Sequence, residues 1–260
     1  MGRTKLAGIV ALTLTLGAAA ARGQDWHWPE QAKNLKVLPK DTPADKLRGS
    51  MLGFVRGLGV RCAYCHVGEE GRPLSSYDFT SDENPNKDKA RAMMKMLAGV
   101  QEQLAKIEPS GPERVAMTCS TCHAGRPRPA SLEEELLEAF QAGGQGAALE
   151  RYAELRGKFY GRGGYDFGER ALSSVGERLL GKGETEGALA MLRLNSEQFP
   201  ASTDVWADLA AAYAKTGNAE IAAIYFRKAL ELDPGNEDAL DGLHHLPPPS
   251  APAPAANPTP

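Results

Sequence analysis

The sequence predicts a mainly α protein, on three observations. Apolar residues recur every three or four positions over about 42–58 and 87–107, the period of a helix face. Helix-start signals stand where those stretches begin. A further set of small and large apolar residues repeats after 34 positions between 165 and 246, the period of a helical repeat array.

The chain opens on Met1-Gly2-Arg3-Thr4-Lys5, then runs from Leu6 to Ala21 almost without polar side chains, and small residues follow up to Gly23. A basic start, a short apolar core and a small-residue zone read as an export signal over 1–23, cleaved near residues 20–24. The apolar run is short for a membrane span, no cysteine follows it to carry a lipid, and no later segment is apolar enough to span a bilayer, so a periplasmic protein is expected. The sequence holds 30 basic and 33 acidic residues; without Arg3, Lys5 and Arg22 the balance is 27 against 33, a net of −6. That charge gives no reason to expect nucleic acid or an anionic membrane surface as partner.

In the next region, 24–129, Thr42-Pro43-Ala44-Asp45 marks a helix start: Thr42 as N-cap, Pro43 in the first helical position, Asp45 in the first turn. Leu47, Met51, Phe54, Val55 and Leu58 form its stripe, and Gly57 and Gly59 end it just before Cys62. A second helix is expected from about Lys87 to Ile107, after Asn84-Pro85, with a stripe of Ala90, Met93, Leu97, Val100, Leu104 and Ile107. Met96 flanks this stripe and Met94 is rotated further off it. Pro109, Gly111 and Pro112 break the helix before Cys119. Between the two units, Val67 to Asn86 reads as a polar surface loop in which Tyr77 and Phe79 pack inward or against a bound group.

Cys62-Ala63-Tyr64-Cys65-His66 and Cys119-Ser120-Thr121-Cys122-His123 are two copies of C-x-x-C-H, and they use every cysteine. This pattern is that of c-type haem attachment. The two thiols form thioethers with the porphyrin and the histidine becomes an iron ligand. Two disulfides, a zinc site or an iron–sulfur site are the other readings of four cysteines. Zinc pairs lie closer together than Cys65 and Cys119 do, and do not require a histidine after each pair. Two covalently bound haem c groups are therefore expected, on Cys62, Cys65 and His66 and on Cys119, Cys122 and His123. A methionine as the second axial ligand raises the potential of such a haem. Met51 and Met93 are the stripe methionines in matching places, although periodicity alone suits a core role as well. His27, in Trp26-His27-Trp28-Pro29, is a lesser candidate. Arg61, Arg126 and Arg128 flank the motifs and suit either propionates or a structural role.

Over roughly residues 30–130 these features resemble the photosynthetic reaction-centre cytochrome c subunit family. Lys33-Asn34-Leu35-Lys36-Val37-Leu38, the Met51 helix and Cys62 to His66 are similar to its first haem unit. Arg91-Ala92-Met93-Met94-Lys95-Met96 and Thr118 to Pro129 are similar to its second. The resemblance implies a methionine ligand on the helix before each motif: Met51 with His66, and Met93 with His123, with Met96 as the alternative to Met93. The family's subunit carries four haems where this chain has sites for two, which favours a free-standing relative over a photosystem part.

Helices are expected over 131–142, with a Ser131/Glu134 capping box, and over 147–160. Gly143-Gly144 separates them, and Gly161 to Gly164 closes this helical linker of 130–164. Trp206, Leu209, Ala210, Tyr213, Ala222, Phe226, Ala229 and Pro234 fall at the spacings of a tetratricopeptide repeat. Leu172, Val175, Gly176, Leu179, Ala188, Leu192, Asn195 and Pro200 stand one period earlier, as Gly183 does for Gly217. Two repeats need further cover, from the preceding helices, a closing helix over Asn236–Leu246 or a partner. The segment 247–260, of Pro, Ala, Ser, Asn and Thr, reads as a disordered tail.

The function these features lead us to expect is a single-electron carrier whose repeat docks redox partner proteins. A di-haem peroxidase-like enzyme is the alternative, needing an open iron and distal acid–base groups. A scaffold in which the repeat matters most is another.

Overall fold

A computed structural model describes residues 26–107 and 116–247. The export signal of 1–23, the break at Pro109, Gly111 and Pro112, and all of the tail but Pro247 lie outside the described residues. Among the described residues the fold is helical with no strand, as expected; one isolated bridge joins Val67 and Asp78. No helix among them is long and apolar enough to cross a membrane. The chain divides into two compact units, Met1–Val55 with Arg61–Arg114, and Arg56–Val60 with Val115–Pro260.

The first unit holds most of α1 (Ala44–Leu58) and all of α2 (Pro85–Ile107). The Thr42 hydroxyl donates to the Pro39 carbonyl at 2.6 Å, closing the turn that leads into α1. Leu47 is the buried anchor of the α1 stripe. The inward face of α2 keeps Ala90, Leu97, Val100 and Leu104 of the expected stripe and departs from it at two positions, Met93, which is 40% exposed, and Ile107, which is 75% exposed, while Lys87, Arg91 and Met94 are protected as well. Lys87 and Arg91 have partners for their charges and so turn inward, which extends the protected face toward Met94 and away from Met93. The 67–86 loop is pinned by Asp78, whose carboxylate accepts from the Thr80 N–H and hydroxyl and the Ser81 N–H.

The second unit contains α3 (Cys119–His123), α4 (Leu132–Phe159), α5 (Glu169–Gly181), α6 (Thr185–Gln198), α7 (Thr203–Lys215), α8 (Ala219–Leu232) and α9 (Glu237–His245). The Ser131/Glu134 capping box forms in both directions, at 3.2 and 2.8 Å. Within α4, Gly143 and Gly144 leave helical geometry, Gly144 with φ +69°. Arg151 nevertheless reaches Glu135 at 2.6 Å. Sixteen residues of straight helix would span about 24 Å, so α4 doubles back at the glycines as two antiparallel arms.

Those arms, α5/α6 and α7/α8 make three helix pairs, and α9 closes the array. Leu132, Leu136, Leu155, Leu172, Val175 and Leu179 share one core, and Leu192, Leu209, Ala210, Phe226 and Ala239 another. Each buried leucine contributes about 2 kcal/mol. The 34-residue period is visible in the turns: Gly183 and Gly217 have φ of +81° and +82°, the left-handed values that favour glycine. Close helix contact requires Gly176, where a Cβ would sit 2.6 Å from Leu192 Cγ. The cover that two repeats need is thus supplied by α4 and α9.

Candidate haem-binding site

In the first motif, Cys62–Tyr64 make one tight turn, and the N–H groups of Cys65 and His66 both donate to the Cys62 carbonyl, at 3.2 and 3.0 Å. The turn holds the two thiols and the imidazole within five residues. Burial, then the neighbouring Cys62, pushes the Cys65 thiol up from its ordinary value. His66 is pushed down to about 4, first by burial, then by the charges of Lys87 and Arg91. It is therefore neutral at pH 7, the form that a metal accepts. Its Nδ1 is buried with no hydrogen-bond partner. Phe79 packs edge-on to its ring at 4.9 Å, with Tyr77 stacked behind at 5.6 Å and Trp26 at 4.9 Å. The inward reading of Tyr77 and Phe79 holds. From the amino-terminal cluster, Trp26 joins them and also meets Trp28 edge-on.

One cavity is lined by Met51, Phe54, His66, Lys87, Arg91 and Met94 among others. α1 places Met51 and Phe54 there, the turns of α2 place Lys87, Arg91 and Met94, and the first motif places His66. Met51 and His66 thus line the same cavity, and so does Met94.

In the second motif, Cys119–His123 form a short helix, with Thr118 and Thr121 in a reciprocal capping box. His123 is 8% exposed, and its Nδ1 lies 2.9 Å from the Arg126 carbonyl. A ligating histidine commonly donates that proton to a carbonyl, leaving Nε2 for the metal. Ala124 and Gly125, with φ of +47° and +78°, turn the chain so that Arg126 can accept. Met93 and Met96 stand on the exposed side of α2, 40% and 55% exposed.

The arginines flanking the motifs have structural partners. Arg61 pairs with Glu70 at 2.8 Å on the surface. Arg126 donates to the His123 and Ala130 carbonyls and lies over the Tyr165 ring, 4.3 Å from its centroid. Arg128 forks onto both Glu138 oxygens, which raises its pKa further and lowers that of Glu138. Sequence reasoning missed Lys87 and Arg91, the cations that do line a cavity with a motif histidine. The i, i+4, i+7 spacing of Lys87, Arg91 and Met94 was the available signal.

The donor set fits haem c. The four thiols are free, in two pairs, each followed by a half-buried or buried histidine. Among the described residues no three histidine, cysteine or acidic side chains gather as a metal cluster. The fold is that of a cytochrome c-like domain followed by a helical repeat region. Residues 30–151 match the family described as photosynthetic reaction centre cytochrome C subunit, and residues 203–236 match a tetratricopeptide repeat. Both C-x-x-C-H motifs lie inside the first match, and the order is the one the sequence resemblance implies. The match runs on to Arg151, through the reversal in α4. No curated protein matches the chain.

Proposed function

We propose that this protein is an exported di-haem cytochrome c that passes single electrons between periplasmic redox proteins. The observation that carries the reading is the cavity shared by Met51 and His66. Bound haem supplies an iron that gains or loses one electron without bond breaking. The chain's part is to hold it. Cys62 and Cys65, and Cys119 and Cys122, are the thioether anchors. His66 and His123, together with Met51 and Met93, would ligate the irons. Met96 is the alternative to Met93. Thioether ligation would favour the reduced iron and leave it no room for a substrate, so the activity we propose is electron transfer rather than catalysis at iron. The tetratricopeptide region, a protein-interaction fold, is the docking element for the redox partners.

The test begins with mass spectrometry and a pyridine haemochrome assay on the purified chain. Two haems and loss of the first 20–24 residues are expected; a colourless product from a host equipped for cytochrome maturation ends the reading. Neither reduced haem should bind carbon monoxide readily. Met51→Ala should turn one haem high-spin and lower its potential, and Met93→Ala should do so for the other. An unchanged spectrum in Met51→Ala transfers that role to Met94, which lines the same cavity. An unchanged spectrum in Met93→Ala transfers it to Met96.

A further inference from the structure

We propose that Lys87 and Arg91 set the reduction potential of the first haem, as a cationic wall on the cavity shared by Met51 and His66. The inference rests on the ligand reading above and goes beyond it. Lys36 also lines this cavity, and among the described residues no carboxylate does. The side chains of Lys87 and Arg91 are only 11% and 13% exposed. Charges so placed are screened less by salt and act more strongly across the cavity than surface charges do.

Their positions are held by groups around them. Lys87 Nζ donates to the carbonyls of Phe79 at 2.9 Å and Ser81 at 2.6 Å. Arg91 donates to the Asn34 carbonyl at 3.2 Å and to Asp88 at 2.6 Å. Asp82 gathers all three cations: Lys36 at 2.6 Å, Arg91 at 2.8 Å and Lys87 at 3.4 Å. Three positive charges therefore face two carboxylates, and one of those, Asp88, is 64% exposed. The surplus is positive. One electron arriving from a partner protein lowers the positive charge at the iron by one, and no proton need move. A positive wall disfavours the oxidised state more than the reduced one, so the potential rises.

The bland alternative is a staple: these ion pairs tie the 79–82 loop to α2 and do nothing else. The two readings differ in sign. Lys87→Gln and Arg91→Gln remove positive charge, Asp82→Asn removes negative charge, and all three break the same cluster. Spectroelectrochemical titration of the full holoprotein measures the outcome, with the first-haem wave identified as the one that Met51→Ala displaces. Lys87→Gln and Arg91→Gln should shift that wave to lower potential and Asp82→Asn to higher, with the second wave unmoved. Shifts of one sign in all variants, or no shift, overturn the proposal. If Arg91→Gln does not accumulate as holoprotein, Lys87→Gln against Asp82→Asn decides alone. A Met51→Ala variant that displaces neither wave marks failure of the ligand reading instead.

Discussion

The Gly125 N–H donates to the Gly57 carbonyl at 2.9 Å. The end of α1, just before the first haem motif, is thereby fastened to the turn just after the second. Both glycines of this end are required. A Cβ on Gly57 would lie 2.9 Å from Cys119 Cβ, and one on Gly59, whose φ is +64°, would lie 2.0 Å from the Gly125 oxygen.

Gly59→Ala should therefore cost about 2 kcal/mol from backbone strain alone, with the clash added. It should also lower the share of chains carrying haem on Cys119 and Cys122. Thermal unfolding gives the first quantity and the intact mass distribution the second. Wild-type stability in this variant would show that the contact is dispensable.

Arg151→Ala leaves the Glu135 carboxylate, a buried side chain, without its main partner. Removing one member of such a pair costs about 3 kcal/mol. Replacing both, as in Glu135→Leu with Arg151→Leu, should recover most of that loss in urea unfolding. A single variant as stable as wild type would mean that the arms of α4 are held by apolar contacts alone.

Gly176→Ala and Gly242→Ala test the repeat packing. The added methyl would meet Leu192 Cγ at 2.6 Å in one and Phe226 Cζ at 2.1 Å in the other. Overpacking of this kind costs about 1–3 kcal/mol. A drop in Tm is expected for both, while the haem spectra stay as they are.

Asp208 supplies a pH test. Burial raises its pKa from the ordinary value, against the hydrogen bond donated by Ser173. The folded state thus binds the proton more tightly than the unfolded one, and stability falls as pH rises through and above the ordinary carboxyl range. Asp208→Asn removes that penalty. It should raise Tm at neutral pH, and the gain should vanish below the unfolded carboxyl value. An equal gain at every pH would remove ionisation as the cause.

Much of this architecture is legible in the sequence. The repeat announces itself because Leu172, Val175 and Leu179 return as Trp206, Leu209 and Tyr213 one period on. The C-x-x-C-H motifs are local, so their turns could be anticipated. The α2 face was legible only in part: Ala90, Leu97, Val100 and Leu104 are protected as expected, and Met93 and Ile107 are not. Counting apolar residues puts Met93 inward; the structure puts Met94 there, because Lys87 and Arg91 are satisfied by Asp82, Phe79 and Asn34 rather than by water. Arg126 and Arg128 also escaped, since their partners, Tyr165 and Glu138, are 39 and 10 residues away in the chain. Long-range pairing of polar side chains leaves no period to read.

The clasp of Arg126 on the His123 and Ala130 carbonyls and the Tyr165 ring has a bearing on biogenesis. If haem is attached to Cys119 and Cys122 as proposed, the attachment would have to precede closure of the adjoining turn, which Arg126 holds shut once Ala130 and Tyr165 are in place. A chain that closed this turn first would be left with Cys119 and Cys122 unmodified.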